Sequence, residues 1–242
     1  MENTNEYPLL LSNLINQLPD VTKEYLREYF FNAPVWLSEN IQIVKLKKDT
    51  IFIREETKVE AIYILVEGIV KAIDYRFLGN SYDYMWFYPV ISFGSMEVLL
   101  DLDQYQTTLS TMTSCTMLII PKNIFEKWVK NDIRVLSQEV KAMGTFLLEE
   151  VKRERVFLFM QGRERVIYML IQIYEQTLEN KICIIKLTHQ DLADSTGLSL
   201  KTINRSLKEL ESEALISRSG NKIIIKPEQF EKLKENINEK NG

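Results

Sequence analysis

Residues 187–216 read LTHQDLADSTGLSLKTINRSLKELESEALI, and their spacing predicts two short helices joined by a tight turn. Thr188 is placed to N-cap the first helix, with Asp191 at N3 as the acidic variant of a capping box, and Ser199 is placed to cap the second. Gly197 falls where the chain must turn sharply, a position that calls for a positive φ. Leu192, Ala193, Leu198, Ile203, Leu207 and Leu210 are spaced to bury one side of each helix, and the small Ala193 lets the two axes approach. The other side of the second helix carries Lys201, Thr202, Asn204, Arg205 and Lys208, all hydrogen-bond donors. That is the chemistry of a helix laid in a DNA major groove.

The order of Thr188, Gln190, Leu192, Ala193, Gly197, Ser199, Thr202, Ile203, Arg205 and Leu207, closed by Leu215 and Ile216, resembles the helix-turn-helix of the Crp/Fnr family of bacterial transcription regulators. The resemblance implies an α+β chain: an N-terminal jelly-roll β-barrel with a helical arm (1–121), a long dimerisation helix and hinge (122–161), and a C-terminal winged helix-turn-helix domain (162–242). It implies a homodimer on double-stranded DNA, with half-sites about one helical turn apart, and RNA polymerase as a further partner. By family position Thr188, Gln190, Ser199 and Thr202 contact phosphates and set register, with Lys208 beside them. His189 lies either near that backbone or serves only as the first helical residue. Base readout falls to Leu200, Lys201, Asn204 and Arg205. The best known members carry a glutamate where this chain has Lys201; a lysine cannot accept from cytosine N4, so the half-site should differ there, while Arg205 keeps a guanine contact.

Composition agrees with a folded, non-membrane chain. Of its 242 residues 45% are hydrophobic and 26% charged, no apolar run approaches a bilayer span, and the polar start MENTNEY is not a signal peptide, so a cytoplasmic protein is expected. The net charge of −4 is awkward for a DNA binder, but residues 186–226 carry seven Lys or Arg against five Asp or Glu, and the local field is what phosphate meets. Cys115 and Cys183 lie in apolar, β-like contexts and read as buried free thiols, with a thiol switch left open. No paired acid and base, phosphate loop or metal-ligand cluster marks an enzyme.

Before the helix-turn-helix, residues 1–40 carry helical spacing around Leu10, Leu14 and Leu18 and again around Tyr25, Leu26, Tyr29 and Phe30, interrupted by Pro19 and Pro34. From Ile41 the pattern turns to short strands: IQIVKLKKDTIFI with a turn at Lys48-Asp49, AIYILVEGIVKAI as a strand pair closed at Glu67-Gly68, then SYDYMWFYPVISFGS and TTLSTMTSCTMLIIP. These runs, with Phe93-Gly94, are similar to the cyclic-nucleotide-binding type of jelly roll. The family's glycine before its second strand pair is absent, with Glu55 and Glu56 nearby, so that turn should be built differently. From Pro121 the residues Val129, Ile133, Leu136, Val140, Met143 and Leu147 step by 4, 3, 4, 3 and 4, the heptad pattern of a two-stranded coiled coil. Gly162 marks the expected domain edge. Glu164 to Leu178 reads as an amphipathic helix, residues 181–186 as a strand, and ISRSGNKIIIK as the hairpin wing turning at Ser219-Gly220-Asn221. Pro227 opens a last helix at N1.

Relatives that bind cyclic AMP place Gly-Glu-Leu before a short helix and Arg-Ser after it; this chain has Gly94-Ser95-Met96 and Tyr105-Gln106, and no arginine from Phe77 to Asp132. A buried phosphate needs such a partner, so a response to cyclic AMP is not expected. The family's Thr-Ser pair on the central helix is replaced by Leu148-Glu149. An iron-sulfur cluster needs about four thiolates, and the only histidine, His189, is in the DNA-binding motif, so neither that cluster nor haem nor another metal is expected. Eight of the 25 aromatics fall between Tyr75 and Phe93. They read either as a strand packed on both faces or as part of an effector pocket or flap, with Tyr82, Tyr84, Trp86, Met96, Tyr105 and Gln106 as its candidate lining. The effector is then an unknown small molecule, or there is none. The alternative function is a ligand-sensing module whose C-terminal domain serves protein interaction instead of DNA binding.

Overall fold

The structure is a computed structural model that describes residues 9–77, 80–175, 182–220 and 222–238, with side chains except at 9–10, 74–77, 80–84, 153–159 and 238. The expectations placed on Tyr82, Tyr84, the side chains of 153–159, Asn221 and the two termini therefore lie outside the described residues. The chain forms two compact units, residues 1–74 with 85–150, and 151–242 with 75–84.

In the first unit the arm consists of α1 (Leu9–Gln17), α2 (Asp20–Tyr29) and α3 (Val35–Ser38). Pro19 and Pro34 are the N-cap residues of α2 and α3, a place where a missing N–H and an extended ψ do no harm. The barrel follows as β1 (Gln42–Leu46), β2 (Ile51–Ile53), β3 (Ala61–Glu67), β4 (Val70–Phe77), β5 (Asn80–Phe87), β6 (Ile91–Phe93), the short α4 (Ser95–Leu99), β7 (Thr108–Thr111) and β8 (Cys115–Pro121). Two four-stranded sheets result, in the orders β1-β8-β3-β6 and β2-β7-β4-β5. Ile62, Ile64, Leu65, Met117, Leu118 and Ile120 are fully buried between them.

The expected local strand pairs are corrected here. β1 pairs with β8 and β2 with β7, while β3 joins β8 and β6 and β4 joins β7. Each short turn is thus a corner that carries the chain from one sheet to the other. At the first corner Asp49 has φ 62; its N–H donates to Thr111 O at 2.8 Å and the fully buried Thr111 hydroxyl donates to Lys47 O at 2.6 Å. At the second, Gly68 has φ 99, and a Cβ there would stand 2.6 Å from both Cys115 Sγ and Ser114 O. Only glycine fits, on conformation and on space. Where the family's glycine is missing, Glu56 itself takes φ 63, held by its N–H donating to Tyr105 O at 2.9 Å.

The helix after the barrel is not continuous. α5 (Lys122–Asn131) ends at Asp132, and α6 (Ile133–Phe159, 27 residues) starts there, with Asp132 Oδ1 accepting from Arg134 N–H at 3.0 Å as an N-terminal cap. Trp128 on α5 is buried against Phe30, stacked at 5.5 Å, and Tyr29, edge-on at 5.4 Å. The arm is thereby fixed to the base of α6. The buried Glu139 of α6 completes that junction: Tyr29 donates to its carboxylate, as does Ser92 at 2.8 Å, and Ser92 bonds Ser95 at 2.8 Å.

The second unit contains α7 (Gly162–Glu175), β9 (Cys183–Ile185), α8 (His189–Thr196), α9 (Leu200–Ser212), β10 (Ser217–Ser219), β11 (Lys222–Ile225) and α10 (Pro227–Asn238). β10, β11 and β9 form one sheet in that order. One core unites Val166, Ile167 and Leu170 of α7 with Leu192, Ile203, Leu207, Leu210, Ile223 and Ile225, and Tyr174 stacks on Phe230 of α10 at 4.1 Å.

Candidate nucleic-acid interface

The geometry of α8 and α9 follows from their caps. Thr188 N–H donates to Asp191 Oδ2 at 2.8 Å while Asp191 N–H donates to Thr188 Oγ1 at 3.1 Å, the reciprocal capping box. Gly197 ends α8 with φ 67, and Ser199 Oγ accepts from Thr202 N–H at 3.2 Å to open α9. Ile203, Leu207 and Leu210 are completely buried, which fixes the rotation of α9 about its axis. At about 100° per residue, Lys201, Asn204, Arg205 and Lys208 then share one outward arc, and all four are exposed. Leu200, 44% exposed, sits at its edge. Arg205 is held loosely, its Nε 3.8 Å from Glu209 Oε1, so the guanidinium is available to an acceptor.

The expected phosphate contacts are also brought to this side. Thr188 and Ser199 are exposed, and Thr202 is half-buried with its hydroxyl 3.0 Å from Ser199 Oγ. Gln190 Nε2 donates to Asp194 at 2.6 Å, and His189 is half-buried as the first residue of α8. Two features were not legible in the motif. A Cβ on Gly162 would lie 3.1 Å from Thr202 Cγ2 and 3.4 Å from Leu198 Cδ2, so this glycine lets α7 begin against the N-terminus of α9. Arg163 pairs with Glu213 at 2.5 Å, linking the same helix to the C-terminal end of α9. The wing is present as β10 and β11, with Ser219 opposite Lys222.

The heptad stripe is redrawn by the structure. Val129 belongs to α5 and is buried in its own unit at 5% exposure, because the break at Asp132 interrupts the helix. Leu136 and Met143 are half-buried. The residues left to solvent are Ile133 (74%), Val140 (57%) and Leu147 (62%), seven apart, and Ser137 and Gly144 fall between them on the same face. The opposite side of α6 is spent on the barrel: Val135 is buried and Phe146 stacks on Phe87, which meets Phe93 and through it Phe52 and Tyr63.

In the barrel the expected effector residues do not converge on an opening. Tyr105, at 6% exposure, lies over Gly94, 3.1 Å from where a Cβ would be, and its hydroxyl donates to Ala61 O at 2.7 Å. This correction has a plain cause: the ring fills the space beside α4 and its polar tip is satisfied by backbone. Gln106 is exposed and Met96 is 40% exposed, while Trp86 is half-buried with its indole N–H buried and unbonded. Glu97, buried, accepts from Gln106 N–H at 3.2 Å.

Burial pushes the Tyr105 hydroxyl up to about 12; burial first, then the charge of Glu139, holds Tyr29 well above its ordinary value. Unfolded tyrosine ionises near 10, so the stability these groups contribute is complete below about pH 10 and is lost as pH rises towards 12, by up to ~1.4 kcal/mol per pH unit for each. Urea unfolding followed at pH 8, 10 and 11.5 should therefore show a falling midpoint, and Tyr105→Phe should flatten that fall. An unchanged slope in the variant contradicts the assignment.

Comparison with known proteins agrees with both units. Residues 43–132 match the cyclic nucleotide-binding domain and residues 164–234 the Crp-like helix-turn-helix domain. Among curated proteins none matches by sequence. Solved structures with the same fold include a CRP family transcriptional regulator from Thermus thermophilus (16% identity, TM-score 0.68, 81% of this chain and 96% of that one). FixK2 from Bradyrhizobium japonicum is similar at 20% identity and a TM-score of 0.66, over 80% of this chain and 96% of its own. The c-di-GMP responsive global regulator CLP of Xanthomonas campestris aligns at 17% identity and a TM-score of 0.66, over 78% and 95%. Among the described residues no helix is long and apolar enough to cross a membrane. A cyclic-nucleotide-type barrel followed by a Crp-like DNA-binding domain is the make-up of a class of transcription regulators, not of enzymes, and the chain belongs to that class, the Crp/Fnr family.

Proposed function

We propose that the protein is a cytoplasmic, homodimeric transcription regulator that binds a two-fold operator through α9, meets RNA polymerase there, and does not respond to cyclic AMP. The observation that carries the reading is the exposed arc of Lys201, Asn204, Arg205 and Lys208, four donors on a helix whose rotation is fixed by a fully buried opposite face. Lys201 favours acceptors on the base edge it meets, so the preferred half-site differs from one read by an acidic residue at that place. Pairing is supported by the exposed apolar line on α6, since isolated exposed residues are ordinary but a heptad row of them is not.

Tyr105 supports the absence of a cyclic AMP response. Where a phosphate would need a guanidinium, the chain supplies a packed ring whose hydroxyl is already bonded to Ala61. No iron-sulfur cluster, haem or other metal enters the reading; Cys115 is a buried thiol raised above its ordinary value by burial, and Cys183 belongs to the core of the other unit. The test is duplex binding by fluorescence anisotropy across a salt series, with and without cyclic AMP. About six phosphate contacts across a pair should make log K fall with log salt at a slope near −5, unaffected by the nucleotide. A flat salt dependence would instead favour a protein-interaction role for the second unit.

A further inference from the structure

The N-terminal end of α6 is flanked on both sides by open, charged depressions. On one side a groove of about 700 Å³ lies between α2 and α6, lined by Arg27, Glu28, Phe31, Arg134 and Ser137. Phe31 is 61% exposed, with Arg134 5.2 Å above its ring. On the other side a cleft of about 250 Å³ is lined by Leu99, Asp101, Glu126, Lys130 and Leu136, with Leu100 at 59% exposure next in sequence. The groove carries two cations and one acid; the cleft carries two acids and one cation. The exposed line Ile133, Ser137, Val140, Gly144 and Leu147 runs between the flanks: at about 100° per residue Arg134 falls on one side of it and Leu136 on the other.

A parallel pair of helices related by a two-fold axis brings opposite flanks together, as e and g positions meet across a coiled coil. We propose that the groove of one copy docks on the cleft of the other, twice per dimer, so that Arg27 and Arg134 face Asp101 and Glu126 of a second copy while Glu28 faces Lys130. This rests on the pairing of α6 proposed above. Two further observations favour a second copy as the occupant. Gly144 has open space around its Cβ position within the chain, although a glycine inside a helix costs about 1 kcal/mol relative to alanine; close approach of another helix accounts for its presence. The apolar line alone offers few large side chains, at roughly 100 Å² each, against about 800 Å² per partner in a stable interface, so contacts on the flanks are needed to complete it.

The dimer dissociation constant of the full chain, measured by analytical ultracentrifugation, tests this directly. Arg134→Glu should weaken dimerisation roughly five- to thirtyfold, the range of coupled pairs, and adding Glu126→Arg should restore it to within about threefold. Val21→Glu, at an exposed apolar site of α2 outside the groove, should leave it unchanged. An unweakened Arg134→Glu dimer, or a double variant no better than the single, overturns the docking of groove on cleft. If Val140→Glu with Leu147→Glu also leaves the dimer intact, the pairing of α6 has failed as well; if that pair gives monomers, only the flank contact has.

Discussion

Val140→Glu combined with Leu147→Glu should give a monomer at micromolar concentration and lower operator affinity by about 10²- to 10⁴-fold, the gain that a second linked contact provides. Both side chains are more than half exposed in the single chain, so the substitutions should leave folding within about 0.5 kcal/mol of wild type. In a pair the same positions face each other, and four carboxylates would be placed in one apolar seam, at several kcal/mol for each charge desolvated without a partner. The thermal unfolding of the isolated chain should hardly move while sedimentation changes completely. Leu136→Glu would be less diagnostic, because Leu136 is half-buried against its own unit. A surviving dimer places the interface elsewhere.

Arg205→Ala should abolish discrimination at one base pair of each half-site. A bidentate arginine-guanine contact is worth about 1–3 kcal/mol, and a two-fold operator uses it twice, so preference for the operator over unrelated duplex should fall by roughly 10² or more. Arg205 is 74% exposed at its side chain and pairs only at 3.8 Å with Glu209, so fold stability should not change measurably. Lys208→Ala makes the useful contrast, lowering affinity for every sequence alike and reducing the salt slope by about 1. Equal behaviour of the two variants would mean that α9 does not read bases.

The second unit was legible because its signals are local. Thr188 with Asp191, Gly197, and Ser199 with Thr202 each satisfy a helix end within four residues, and the burial of Ile203, Leu207 and Leu210 follows one helical period. The barrel was legible only as a set of strands. Leu46 pairs with Cys115, far along the chain, while the nearby β2 goes to the other sheet, and nothing in the Lys48-Asp49 turn distinguishes a corner from a hairpin. For Val129 a signal did exist: Asn131-Asp132 is a stop and a cap, and the cap splits the heptad row. Glu139 is a charged residue on the buried side of α6 whose partners, Tyr29 and Ser92, come from distant elements. Tyr105 could be seen to lack a guanidinium, but that its ring closes over Gly94 is a matter of packing.

The central claim is that two α9 helices, arranged by a two-fold axis, read DNA. Selection of binding sites from a random duplex pool by the full-length protein tests it most directly. The expected result is an enriched inverted repeat with half-site centres about one helical turn apart and an invariant G·C pair in each half that disappears from the pool selected by Arg205→Ala. A pool without inverted symmetry, or one identical for the two proteins, would contradict the account.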